Sequence, residues 1–210
     1  IFKIGTLYSP LKLFFPIALL LLVSFTTTDN TITKAERKYA LAKLKDTKKH
    51  LKEATKGLSV AQLNFKASDS SWSIAECAEH IALTETSLYG MFEGALKTNP
   101  DASKRSDVKF TDEQVWNMIV DRSNKVKTSE QFKPSGKFGS FEGIAKEFND
   151  KRDTHIQNVK GVKEDLRNRY AKLPFGTIDA FQVIIFLAAH TERHIKQMEE
   201  VKTSAGFPKN

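Results

Sequence analysis

From Ala180 to Ala189 the chain reads Ala-Phe-Gln-Val-Ile-Ile-Phe-Leu-Ala-Ala, a run that is apolar on every side of a helical wheel. A helix of that kind has no face to offer water and must be covered all round by other elements. The rest of the sequence offers helices for the purpose and no run of alternating strand residues. Thr33-Lys-Ala-Glu36 is a capping box, in which the threonine hydroxyl and the glutamate carboxylate satisfy free backbone N–H groups at a helix start. Leu41, Leu44 and Leu51 mark one face of the helix that follows, and Gly57 is a stop signal. Ser73-Ile-Ala-Glu76 opens a second helix, predicted to run to about Lys97 before Asn99-Pro100 ends it. A shorter helix is expected after Thr111-Asp-Glu-Gln114, fading near Lys127, and Lys133–Gly139 reads as a loop. A third long helix is expected from about Phe141 to Tyr170. Pro174 and Gly176 then make a turn, and Thr177 caps a fourth long helix reaching about Thr203. Four long helices and one short one, each with an apolar face, predict an all-α four-helix bundle with one extra short helix.

The 210 residues are 40% hydrophobic and 28% charged, a globular composition that argues against disorder over most of the length. The formal charge of +8 is spread among interleaved acids, as on solvated helix faces. No dense basic run with interleaved aromatics is present, so a nucleic-acid partner is not expected. Lys3 and Lys12 precede the apolar run Leu13–Phe25, and a Thr-rich stretch follows. Thirteen apolar residues suit the core of a signal peptide, whereas a spanning helix needs about 20. Residues 1–30 are therefore expected to be a signal peptide or an uncleaved membrane anchor, 31–204 the helical domain, and 205–210 a frayed tail. This makes the protein exported, periplasmic or envelope-associated, and in contact with a membrane only through an uncleaved leader. Cys77 is the only cysteine, so no intrachain disulfide forms, and no cysteine follows the apolar run to take a lipid anchor. Dimerisation is left open by the sequence.

Chemistry concentrates in the five histidines, His50, His80, His155, His190 and His194. His190 and His194 directly follow the apolar run at a spacing of four. Successive helical residues turn by about 100°, so the two imidazoles point the same way, about 6 Å apart along the axis. Both can chelate one ion such as Zn, Ni, Cu or Fe; a pair of satisfied core histidines is the plainer reading. The metalloprotease pattern is absent because position 191 is Thr. His80 sits at the margin of the apolar face Ile74, Ala78, Ile81, Leu88, Phe92 and Ala95, beside Cys77 and Thr84. In the third long helix the seam Phe141, Ala145, Phe148, Arg152, His155, Val159, Val162, Leu166 puts Arg152 and His155 where apolar residues are expected. Unpaired burial would cost several kcal/mol. Either the two line a pocket, Arg152 on an anionic substrate or a carboxylate behind the ligands and His155 as a proton carrier or an outer partner of the ligands, or the seam turns to solvent. Gln197 shares the face of His190 and His194, where it either hydrogen-bonds a water on the ion or lies at the surface. Glu85 and Glu192 are candidates to orient an imidazole, with exposure the simpler expectation for both. Cys77 is expected to be a small buried residue and His50 a solvated one.

Trp72, Ser73, Glu76 and His80, followed late in the chain by His190, His194 and Gln197, resemble the DinB/YfiT-like family. Phe175–Gln182, running into Ala189–Gln197, is similar to the last helix of its DinB-like members. The likeness extends over about residues 34–203. It implies a four-helix bundle of left-handed up-down-down-up connectivity. It also implies a divalent transition metal, Zn or Ni foremost, held by three histidines that match His80, His190 and His194. Three neutral imidazoles leave coordination positions open, as in catalytic sites. The family includes metal-dependent hydrolase candidates and transferases of low-molecular-weight thiols such as bacillithiol and mycothiol. The expected function is thus an exported metal-dependent hydrolase or thiol transferase acting on a small molecule. The alternative is a non-catalytic envelope protein that binds a metal or small ligand.

Overall fold

The computed structural model describes Ile1 and residues 31–209. The apolar segment Leu13–Phe25 lies outside the described residues. Four long helices, α1 (Lys34–Thr55), α3 (Ile74–Leu96), α5 (Phe141–Gly161) and α6 (Ala180–Lys202), form the bundle; α2 (Val60–Asn64) and α4 (Asp112–Val120) are short. The expected capping boxes are made. Thr33 accepts from Glu36 N while Glu36 bonds back to Thr33 N, and Ser73 and Glu76 do the same at α3.

Contacts along the helices give their directions. Glu36, at the start of α1, is joined through Arg167 to Asp179 at the start of α6, and His50 meets Glu192 further along, so α1 and α6 are parallel. Arg37 reaches Val159 O at the far end of α5, which makes α1 and α5 antiparallel. Thr84 lies at His190 and His80 contacts both His190 and His194, so α3 runs against α6. Up-down-down-up is the order that results. The core fills with the residues the apolar patterns pointed to: Ile74, Ala78, Ile81, Phe92 and Ala95 of α3, and nearly all of 180–189 of α6. Among the described residues no helix is long and apolar enough to cross a membrane.

Several expected boundaries move, each for a local reason. The third long helix ends at Gly161, not Tyr170. Arg37 satisfies its terminal carbonyls by donating to Val159 O and Val162 O. Asp165 then accepts the backbone N–H groups of Arg167 and Asn168, a side-chain bond that competes with helix. Around the expected turn, at Pro174-Phe175, β1 (Tyr170–Leu173) pairs antiparallel with β2 (Gly176–Asp179), a hairpin that was not foreseen. The cap of α6 is Asp179, in a box with Gln182, rather than Thr177. The helix after Thr111 stops at Val120 instead of near Lys127, because Arg193 of α6 takes the carbonyls of Ile119, Asp121 and Asn124. α2 was not foreseen, although Ser59 and Gln62 form its capping box. The tail is tied down as well: Phe207 packs edge-on to Phe65 at 5.5 Å, and Gln62 Nε2 donates to Pro208 O.

Candidate metal centre

The antiparallel pairing of α3 with α6 brings His80 against His190 and His194. His190 Nε2 stands 3.3 Å from His80 Nε2 and 3.3 Å from His194 Nε2. One ligand atom from each of the three residues lies within 4.8 Å of the other two. His80 and His194 are buried and His190 is half-buried. Among the described residues no fourth His, Cys, Asp or Glu joins the group.

The far side of each ring fixes which nitrogen carries the proton. His80 Nδ1 is 2.7 Å from Phe132 O, a carbonyl that can only accept, so Nδ1 is the protonated nitrogen. His194 Nδ1 is 2.9 Å from Gln197 Oε1, an oxygen that also accepts from Arg122 Nη1 and is therefore not the amide nitrogen. His190 Nδ1 faces Thr84 Oγ1 at 3.4 Å. That hydroxyl spends its own hydrogen on His80 O at 2.8 Å, leaving a lone pair for the ring N–H. In the neutral rings all three Nε2 lone pairs then converge. Burial, reinforced for His190 and His194 by the neighbouring imidazoles, holds the rings below their usual range: His190 at about 3, His194 well down, His80 lowered by burial against the pull of the Phe132 carbonyl. Three buried lone pairs facing one point repel each other unless a cation stands between them. This donor set fits a divalent transition metal, which takes neutral imidazole nitrogens whose other N–H is held by an outer partner. Trp72 and Phe186 wall the group, with ring centroids 4.9 Å from His80 and 6.3 Å from His190.

Arg152 and His155 do lie on the core-facing seam, and of the alternatives open to them a carboxylate partner is the one the structure supplies. They are not solvated, at 0% and 4% exposure. Nor is Arg152 available to a substrate anion, because all five of its N–H groups are engaged. Nε and Nη2 form a fork on the carboxylate of Glu85 at 2.7 and 2.8 Å. Nη1 donates to Leu44 O and Thr47 Oγ1, and Nη2 also to Thr191 Oγ1, on the residue after His190. His155 Nδ1 bonds the same carboxylate at 2.9 Å, and its ring stacks on Tyr89 at 3.7 Å, so it is a partner of Glu85 and not a fourth member of the histidine group. Glu85, expected at the surface, is 1% exposed. Burial works to raise its carboxyl, but the Arg152 charge and the bonds from Arg152 and His155 outweigh it and hold the group down at about 2.

Gln197 turns its oxygen to His194 and so orients a ring, a role neither of its two expected alternatives named. Glu192 takes His50 Nδ1 at 2.9 Å, so both are paired near the surface. Cys77 is buried as expected, and burial pushes its thiol up to about 12, which keeps it unreactive. Three partners of the site escaped the sequence reading: Phe132 O, Thr84 as a hydrogen-bond acceptor, and Arg122, which joins Gln197 to Glu200. Phe132 contributes only a backbone carbonyl, which leaves no mark in a residue pattern.

Comparison with known proteins agrees with the bundle fold. The family model of the DinB superfamily matches residues 43–198. YuaE, an uncharacterised protein of Bacillus subtilis (strain 168), is 29% identical over 148 residues, covering 70% of this chain and 87% of YuaE. The fold is shared with YfiT from Bacillus subtilis, at a TM-score of 0.57 and 16% identity over 85% of this chain and 92% of YfiT. YfiT is described as a probable metal-dependent hydrolase with an unusual four-helix bundle topology. With its bundle order, its paired third and last helices and a match over most of its length, the chain belongs to the DinB superfamily.

Proposed function

We propose that the protein is a metal-dependent hydrolase of a small molecule, with His80, His190 and His194 holding one divalent transition metal, zinc or nickel. The observation that carries this reading is the set of three Nε2 lone pairs aimed at one point, each with its Nδ1 facing an acceptor. Bound there, such an ion supplies Lewis acidity, polarising a substrate carbonyl and lowering the pKa of a coordinated nucleophile. The chain's own residues do the rest. Phe132 O, Thr84 and Gln197 hold the three tautomers, while Arg122 fixes the Gln197 amide. Arg152 and His155 act behind the site as positioning residues: Arg152, locked on Glu85, holds Thr191 beside His190.

Three protein ligands without a fourth favour a catalytic over a closed structural site. The apolar segment 13–25 supports export, and export favours hydrolysis over transfer of a reduced thiol, because such thiols are chiefly cytosolic. Elemental analysis of protein purified without added metal, wild type beside His190→Ala, tests the site. Near-stoichiometric metal in wild type and its loss in the variant are expected; equal trace amounts in both would remove the proposal. Metal-loaded protein is then expected to cleave an activated ester in the absence of any thiol. Turnover only with an added thiol would favour the transferase instead.

A further inference from the structure

Glu79, directly before His80 on α3, is a carboxylate at 4% exposure that forms no salt bridge among the described residues. Its bonds go to a turn of the segment that joins α4 to α5. Glu79 Oε1 accepts from Ser135 N at 3.1 Å and Lys137 N at 2.9 Å, and Oε2 accepts from Gly136 N at 3.0 Å. Ser135 Oγ adds a contact at 3.4 Å. Three successive amides wrapped round one carboxylate form an anion-binding nest, here filled by the protein itself. Gly136 sits at φ +75°, a backbone conformation that side chains with a Cβ rarely adopt. Three residues before the nest is Phe132, whose carbonyl takes His80 Nδ1–H at 2.7 Å. The short 3₁₀ turn Glu130–Phe132 and its cap bond, Lys133 N to Glu130 O at 3.1 Å, hold the backbone at Phe132 itself. One residue of α3 thus grips the segment that orients the ring of the next residue.

We propose that Glu79 is a positioning residue for His80, holding the Ser135–Lys137 turn so that Phe132 O keeps the His80 proton on Nδ1 and the Nε2 lone pair on the histidine group. The proposal deepens the three-histidine reading and rests on it for its metal readout. An apolar residue at position 79 could fill the space but could not hold three N–H groups. A neutral amide there turns an NH2 group toward donors and loses the charge that binds them.

The test uses the full chain with Glu79→Gln, and with Gly136→Ala as a second variant. Alanine at 136 has open space around its Cβ but a strained φ, so it loosens the nest without a clash. Two readouts are taken: cobalt(II) affinity with its visible spectrum, and the ¹⁵N shifts of the His80 ring in metal-free protein. Wild type is expected to show His80 as the Nδ1–H tautomer. Glu79→Gln is expected to show a mixture of tautomers and a 10- to 100-fold weaker affinity, the usual effect of losing an outer partner of a ligand histidine, with Gly136→Ala moving both readouts less in the same direction. A role confined to stability would lower the melting temperature and leave the tautomer alone. Wild-type affinity with an unchanged His80 tautomer in either folded variant overturns the proposal. If wild type binds no cobalt, the three-histidine reading fails by itself, and the tautomer measurement still decides the role of Glu79.

Discussion

Glu85 shows how one residue can stabilise a fold and a site together. It neutralises Arg152 and holds His155, and all three are almost wholly inaccessible. Removing one partner of a buried ion pair leaves the other charge uncompensated, at roughly 3–5 kcal/mol. Glu85→Gln is therefore expected to lower the free energy of unfolding, read from urea titration, by an amount in that range. The pair also carries a pH dependence of known sign. The carboxyl titrates at about 2 in the folded chain against an ordinary value of 4.5, so its contribution is whole above pH 4.5 and disappears as pH falls toward 2. That contribution is on the order of 3 kcal/mol. Wild type is expected to lose stability between pH 5 and 3 more steeply than Glu85→Gln. Parallel slopes would mean that other carboxylates carry the acid sensitivity.

The segment from α4 to α5 is long for a helix connection, yet it is fixed at several points. Arg193 holds its first part through the carbonyls of Asp121 and Asn124, Phe132 O meets His80, and Glu79 clamps the turn at 135–137. It then enters α5 through a close approach at Gly143, where an added Cβ would run into the Phe138 carbonyl oxygen. Backbone cannot retreat as a flexible side chain can, so Gly143→Ala must displace the turn or the first coil of α5. A loss of roughly 1–3 kcal/mol in thermal or urea unfolding is expected, as for other overpacked sites. The same displacement should weaken cobalt binding, since the turn leads back to Phe132. Unchanged unfolding and unchanged cobalt affinity would show that this segment adapts freely.

In the whole molecule the bundle is joined differently at one end and at its middle. At one end Arg167 ties α1, α4 and the start of α6 together by bonding Glu36, Asp112 and Asp179. At the middle of the α3–α6 contact the histidines face each other, and there an ion would bridge two helices that run in opposite directions. A ligand bound only by the folded state stabilises it by RT ln(1 + [L]/Kd), about 2.7 kcal/mol when the free metal is 100 times Kd. Chelation is therefore expected to lower the melting temperature of wild type by several degrees and that of His190→Ala hardly at all. Equal shifts in both would place the chelator's effect away from the three histidines.

Much of this architecture is written locally. The capping boxes at Thr33 and Ser73, the apolar stripe of α3 and the all-round apolar run of α6 are short-range patterns, and each settles its own helix whatever lies beyond it. The spacing of His190 and His194 likewise sets two rings on one helix face before any packing occurs. By contrast, the end of α5 depends on Arg37, more than a hundred residues earlier, and the end of α4 on Arg193, more than seventy residues later. Residue types at 85, 152 and 155 say only that charge needs a partner. That Glu85 is the partner, and that His80 meets the late pair with its far nitrogen held by the Phe132 carbonyl, follows from which helices lie side by side. Distances across a bundle are set by that arrangement of the chain, and a linear pattern holds no record of them.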